Sequence, residues 1–302
     1  MEETPTTEQT LPNFDALWNY GNPAATEQKF REILARAELS HDYEYTGQLL
    51  TQIARCEGLQ GKFDASHATL DAAQNLIKEH DLKLAHVRYF LERGRAINSS
   101  GKPDKALSQF HSAYELATEQ HELRYAIDAV HMIAIAAYDP KVQVEWNLKG
   151  IALCEAEPKQ KGWLNALLNN IGESYLLLGE YDNAAGSFHR LAEIQRQNRG
   201  EADVYTLKDE AKALRLGGAA EKSVELMKPV MEKLIAENHD DGYIRQEFAE
   251  GLHASGHQAE AKPHFLKANE LLSKDEWAIK SEPDQVARMK ELGEASVPKN
   301  AN

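Results

Sequence analysis

Arg55, Arg88, Arg95 and Asn98 are the first residues in this chain whose types and spacing suggest chemistry. Arg88, Arg95 and Asn98 stand 7 and 3 residues apart, which puts them on one face of a helix. Arg55 lies 40 residues before Arg95. An arginine fork fits carboxylates, whether a peptide's C-terminus or Asp and Glu side chains. The chemistry is therefore recognition of acid. Two outcomes stay open: a partner supplies the carboxylates, or Glu57, Glu92 and Asp128 of the same chain do, as weakly contributing pairs. A second constellation is Asn169-Asn170. A carboxamide donates to a peptide C=O and accepts from its N–H. Asn is a mediocre helix former, so two together in mid-helix need a reason. Either they contact a peptide or they stitch neighbouring helices.

Other chemistry is hard to find. The sequence has no GxxxxGK[ST], no GxGxxG opening a helix after a strand, no GxSxG and no HExxH. Its 12 histidines do not cluster at metal-binding spacing; His121 and His131, for instance, are ten apart. Cys56 and Cys154 form no CxxC and have no evident His or Asp partner in sequence. The reading is no enzyme, no cofactor and no metal. The 48 acidic against 34 basic residues give a net charge of −14, which argues against nucleic acid as the main partner. No apolar run is long enough to span a membrane. The start, "MEETPTTEQT", is acidic and polar rather than a secretory signal, and two distant cysteines suit a reducing cytoplasm.

The candidate residues must sit on helices, and a period fixes those helices. Gly21, Gly61, Gly101, Gly179, Gly218 and Gly256 are spaced by 38 to 40 residues, with one double step whose midpoint falls near Asp139-Pro140. Seven residues before these turns stands a small residue: Ala54, Gly94, Gly172, Ala211, Ala249. Nine after comes a larger apolar one: Phe30, Leu70, Phe110, Phe188, Met227, Phe265. Two helices packed as an antiparallel hairpin need this, small where the backbones cross and large beyond. Leu164, Leu167, Leu168, Ile171, Tyr175 and Leu178 follow helical spacing, and no β-alternating run stands out.

The pattern resembles the tetratricopeptide repeat. The strongest copy reads Leu168, Ile171-Gly172, Tyr175, Gly179, Tyr181, Ala184, Phe188, with Leu191 where that family prefers Ala. A second reads Gly94, Ile97, Gly101, Ala106, Phe110, Ala113. The repeat near 127–160 departs most, with Trp146 and Gly150 reversed in size at the small and large positions. The expected fold is all-α: a right-handed α-solenoid of about seven antiparallel helix pairs over residues 11–294, with a first short helix from Asn13 to Asn19 and a C-terminal capping helix from Glu282-Pro283 to about Leu292. Residues 1–10 and 295–302 are expected to be disordered. Gly172 and Ala184 are expected to face each other at a helix crossing.

The resemblance implies that the first helix of each pair lines a groove. On that alignment the groove holds Arg55, Arg88, Arg95, Asn98, Asn169, Asn170, Glu173, Lys208 and Lys212. It implies a protein or peptide partner, held as an extended peptide or a helix by an adaptor or scaffold. The alternative is a bacterial-type peptide-sensing regulator lacking its own effector domain. Self-filling of the groove is expected to cover one end at most, and a homodimer is left open.

Overall fold

The structure is a computed structural model and describes residues 10–295. The expected disordered ends lie outside the described residues, apart from Thr10 and Ala295. The chain divides into two compact units, residues 1–161 and 162–302.

The first unit opens with a 3₁₀ turn, Phe14–Leu17, followed by α1 (Pro23–Ser40), α2 (Tyr43–Leu59), α3 (Phe63–His80), α4 (Lys83–Ser99), α5 (Pro103–Glu119), α6 (Leu123–Ala136) and α7 (Pro140–Ala156). Local sequence sets these limits. Asn22 caps α1, its Oδ1 accepting from the Ala25 amide at 3.1 Å, with Pro23 as the first helical residue. Asp42 caps α2 in the same way at 3.0 Å from the Tyr45 amide. Gly61 and Gly101, at φ +73° and +82°, close the α2–α3 and α4–α5 turns in the left-handed region that glycine adopts without strain. Gly21, grouped with them by spacing, has no positive φ.

The second unit contains α8 (Leu164–Leu178), α9 (Tyr181–Arg199), α10 (Val204–Leu216), α11 (Ala220–Ala236), α12 (Gly242–Ala254), α13 (Gln258–Leu272), α14 (Glu276–Ser281) and α15 (Pro283–Glu294). Gly179, Gly218 and Gly256 close its hairpins, all at positive φ. Both units are all-helical stacks of antiparallel hairpins, the repeat-solenoid class, and among the described residues there is no strand.

Phe30, Phe110, Phe188 and Phe265 are among the largest side chains with no more than 1% exposure. They stand at the same position on α1, α5, α9 and α13, where α3 has Leu70 and α11 has Met227, and fill the space between the two helices of the hairpin. Burying each is worth about 1.5–3 kcal/mol. The small residues opposite make room for these rings. A Cβ on Gly172 would lie 2.6 Å from Phe188 Cζ, so its close neighbour is the Phe188 ring rather than Ala184. Gly94 is covered by Phe110 in the same way.

Three local features differ from the sequence expectation. The first helix is a single 3₁₀ turn, because the chain is already extended at Trp18, with ψ at 130°. In the fourth pair, Asn147 rather than Gly150 holds the large position, seven residues beyond the leading proline, where α5 has Phe110. Asn147 is 1% exposed. Trp146 packs edge-on against His111 and Tyr114, with ring centroids at 5.2 and 5.5 Å. The shift arises because the α6–α7 turn contains no glycine; Gln143 Nε2 donates to the Ala137 carbonyl at 2.8 Å instead. Finally, α14 precedes the capping helix, which runs Pro283–Glu294.

Candidate functional site: the first-helix faces of the two units

In the first unit, α2, α4 and α6 are the first helices of their hairpins. Arg55 on α2 donates from Nη1 to Glu92 Oε2 on α4 at 3.0 Å, and Arg95 donates from Nη1 to Glu92 Oε1 at 2.7 Å. Arg95 also pairs with Asp128 on α6. The result is an alternating ladder, Arg55–Glu92–Arg95–Asp128, across three helices. Glu92 is 5% exposed and is shared by two guanidiniums. Burial opposes the charge on Arg95, but Asp128 and Glu92 more than compensate and raise its pKa. Glu92 and Asp128 are the same-chain carboxylates that the sequence left open as partners; Glu57 pairs instead with Arg31, at 2.6 Å. Asn98 is half-buried and makes no side-chain hydrogen bond among the described residues.

Arg88, only 5% exposed, is engaged from an unexpected direction. Its Nη1 and Nη2 donate to Asp15 Oδ2 and Oδ1 at 2.9 and 2.6 Å. Nη1 also lies 3.2 Å from Gln48 Oε1 and 3.1 Å from Tyr125 Oη. The guanidinium sits 5.2 Å from the Phe14 ring centroid. Burial works against ionisation of Asp15, but the hydrogen bonds and charge of Arg88, with Arg124 behind it, hold the carboxyl below its ordinary value. Beside the ladder is a cavity of about 220 Å³, lined by Leu59, Ala96 and Met132 together with Arg55, Glu92 and Arg95.

In the second unit, α8, α10 and α12 supply the equivalent face. Arg215 on α10 and Glu247 on α12 form a two-point ion pair, at 2.7 and 2.8 Å. Lys208 Nζ is 2.8 Å from Asp209 Oδ1. Lys212, one helical turn on, is half-buried and has no ion pair or side-chain hydrogen bond among the described residues. Glu173 on α8 is open to solvent on one side, and its carboxyl pKa is raised, by the surrounding protein's desolvation first and by Asp209 second, with Lys212 and Lys208 opposing. Asn169 is half-buried, also without a side-chain hydrogen bond among the described residues. The carbonyl of Asn170 accepts from Ser174 Oγ at 2.8 Å. A polar cavity of about 140 Å³ is lined by Lys208, Lys212, Tyr243, Gln246, Glu282 and Gln285 with the Arg215–Glu247 pair. Tyr205 donates to Asp241 Oδ2 at 2.6 Å; that bond, and burial after it, push its phenol up to about 12.

Neither cysteine is activated as a nucleophile. Burial pushes the Cys56 thiol up to about 12 and the Cys154 thiol to about 11, so neither is a thiolate near neutrality. Among the described residues no three His, Cys, Asp or Glu side chains gather to hold a metal ion, and no helix is long and apolar enough to cross a membrane.

The hairpin stack has solved counterparts. A signal-transduction ATPase with numerous domains and a tetratricopeptide-repeat sensor, from Pyrococcus horikoshii, superposes over 87% of this chain with a TM-score of 0.69 at 12% identity. This chain spans 41% of that protein. A tetratricopeptide-repeat protein from Parabacteroides merdae matches over 90% of this chain and 93% of its own, with a TM-score of 0.50 at 16% identity. This chain has the tetratricopeptide-repeat fold. NprR, solved in complex with its cognate peptide NprX, shares that fold over 96% of this chain and 87% of its own, with a TM-score of 0.51 at 17% identity. No family model and no curated protein matches the sequence. In this tetratricopeptide-repeat chain the fold-defining positions are few per repeat, small residues against one larger side chain, so sequences that share the fold share little else.

Apart from Asn98 and Asn170, the site residues named from sequence fall into three groups in these repeats. Arg55 and Arg95 belong to a closed ladder, and Arg88 is held by the N-terminal segment. Asn169, Glu173, Lys208 and Lys212 share one face with incomplete pairing. Asp15 was missed. It lies 73 residues from Arg88 in the chain, and no periodic signal links the two.

Proposed function

We propose that the chain is a protein-interaction module that holds an extended segment of a partner protein on the α8–α10–α12 face. Lys212 receives a carboxylate of that segment, and Asn169 bonds its backbone. The observation that carries this reading is the contrast in pairing. Arg55, Arg88, Arg95 and Arg215 each have a carboxylate from their own chain, whereas half-buried Lys212 has none within ion-pair distance among the described residues. A half-buried ammonium beside a polar cavity gains from an incoming carboxylate, because a hydrogen bond to a charged group is worth about 1.5–3 kcal/mol. Asn169 offers a free donor and acceptor on α8, suited to a peptide unit.

A short free peptide is the second reading, favoured by the shared fold with NprR, solved with its cognate peptide. A peptide's terminal carboxylate meets the same requirement at Lys212. The test is selection from a displayed peptide library, followed by affinity measurement on the parent and on Lys212→Ala. The expected result is a set of acidic peptides whose binding weakens about tenfold in the variant and falls with added salt. Peptides that must be free at their C-terminus support the second reading. Selected peptides without acidic groups, bound equally by parent and variant, remove the site.

A further inference from the structure

The segment from Leu11 to Tyr20 engages the α2–α4 face through side chains, as a ligand would. Tyr45 Oη donates to the Pro12 carbonyl at 2.7 Å. The Phe14 ring stands edge-on to Tyr45 and Phe30, at 5.0 and 6.1 Å between centroids. Asp15 reaches past α2 to grip Arg88 on α4 with both oxygens. Trp18 Nε1 donates to Gln52 Oε1 at 3.1 Å. The Tyr20 ring lies 5.6 Å from the Arg55 guanidinium.

The segment packs on its neighbours α1 and α2, Phe14 lying buried among Phe30, Ile33, Leu49 and Ile53 and Trp18 edge-on to Phe30 at 5.4 Å, but its acid reaches one helix further, to α4. This segment has a single four-residue 3₁₀ turn, too short for intrinsic helical stability, and so is held by the contacts just described. The receiving surface also has a demand of its own. Arg88 is 5% exposed, and without Asp15 the acid left to act on its buried charge is Glu92, which already serves Arg55 and Arg95. Gln48 and Tyr125 supply neutral oxygens, not the missing charge. The face therefore needs a carboxylate flanked by aromatic rings, and any segment with that chemistry meets the need.

We propose that residues 11–20 are a resident occupant of the α2–α4 face, and that this face exchanges them for a partner-protein segment with an aromatic residue, an acid directly after it, and a second aromatic three residues beyond the acid. The pattern is that of Phe14, Asp15 and Trp18. The tether gives the resident segment an effective concentration on the order of millimolar, so a partner binds with reduced apparent affinity until the segment is loosened. The inference concerns the first unit and does not depend on the Lys212 reading.

The probe is a labelled peptide of residues 11–20, LPNFDALWNY, added to the full chain. With Asp15→Ala and Trp18→Ala together in the chain, the peptide should bind at least about tenfold more tightly than to the parent. Adding Arg88→Gln should abolish that gain, and a peptide carrying Ala in place of its Asp should fail throughout. An unchanged affinity in a variant of unaltered helix content would overturn the proposal and leave the segment a structural cap. If the double variant loses helix content, hydrogen exchange on the parent decides. Excess peptide should speed exchange within residues 11–20 while α2 and α4 stay protected, and no change there at saturating peptide is the contrary result.

Discussion

Asp15 and Arg88 are joined by two hydrogen bonds, of 2.9 and 2.6 Å, across 73 residues of chain. The pair ties the N-terminal segment over α2 to α4. Its strength depends on Asp15 being ionised, and Arg88 holds the Asp15 pKa below the ordinary value of 3.8. A lowered folded-state pKa means the contribution is complete above the unfolded value and lost as pH falls through the folded one. Asp15→Asn should therefore lower stability by about 1–3 kcal/mol near neutral pH. The difference from the parent should shrink to nothing below the lowered pKa. Thermal unfolding of both proteins from neutral to strongly acidic pH measures this, and a difference independent of pH would show that the charge on Asp15 is not what matters.

The Glu92 carboxylate serves two guanidiniums, and its removal should be costly. Glu92→Ala leaves Arg55 without its acid and Arg95 with Asp128 alone. We expect a loss of about 3–5 kcal/mol, as for breaking a buried pair from one side. Replacing Arg55 and Glu92 together by Met and Leu should cost less than Glu92→Ala, since the orphaned charge is gone. Denaturant titration of the two variants orders them, and equal losses would mean that packing rather than charge dominates at this rung.

Gly172 and Gly186 belong to one hairpin and should respond oppositely to alanine. Gly172 lies against the Phe188 ring, where an added Cβ would meet Cζ at 2.6 Å. Overpacking of this kind costs about 1–3 kcal/mol, and Gly172→Leu should cost more. Gly186 is on the outer side of α9, with nothing within 4 Å of an added Cβ. Gly186→Ala should stabilise by about 0.5–1 kcal/mol, by removing a mid-helix glycine. Melting temperatures that shift the same way in both would contradict the assigned crossing.

These variants also show which parts of the structure were legible in sequence. The hairpin period, its turn glycines and the four buried phenylalanines could be read, because each repeat buries its core by contacts between near neighbours at fixed offsets. Asn147 was displaced by a register change at a turn with no glycine to mark it. The ion pairs are harder to read. Arg55, Arg95 and Lys212 look alike on a helical face, and only the placement of carboxylates one repeat away separates the two paired arginines from the lysine that has no ion pair among the described residues. Asp15 sits outside the repeat altogether, so no period could place it beside Arg88.

Lys212 is where the proposed function is most exposed to test. The direct measurement is a thermodynamic cycle between this residue and a selected peptide. Four affinities are needed: the parent and Lys212→Ala, each with the acidic peptide and with the same peptide carrying an amide in place of its acid. The account predicts a coupling energy of about 0.5–3 kcal/mol between the Lys212 ammonium and the peptide carboxylate, reduced by salt. A coupling of zero, with both proteins equally helical and the peptide still bound, would contradict it.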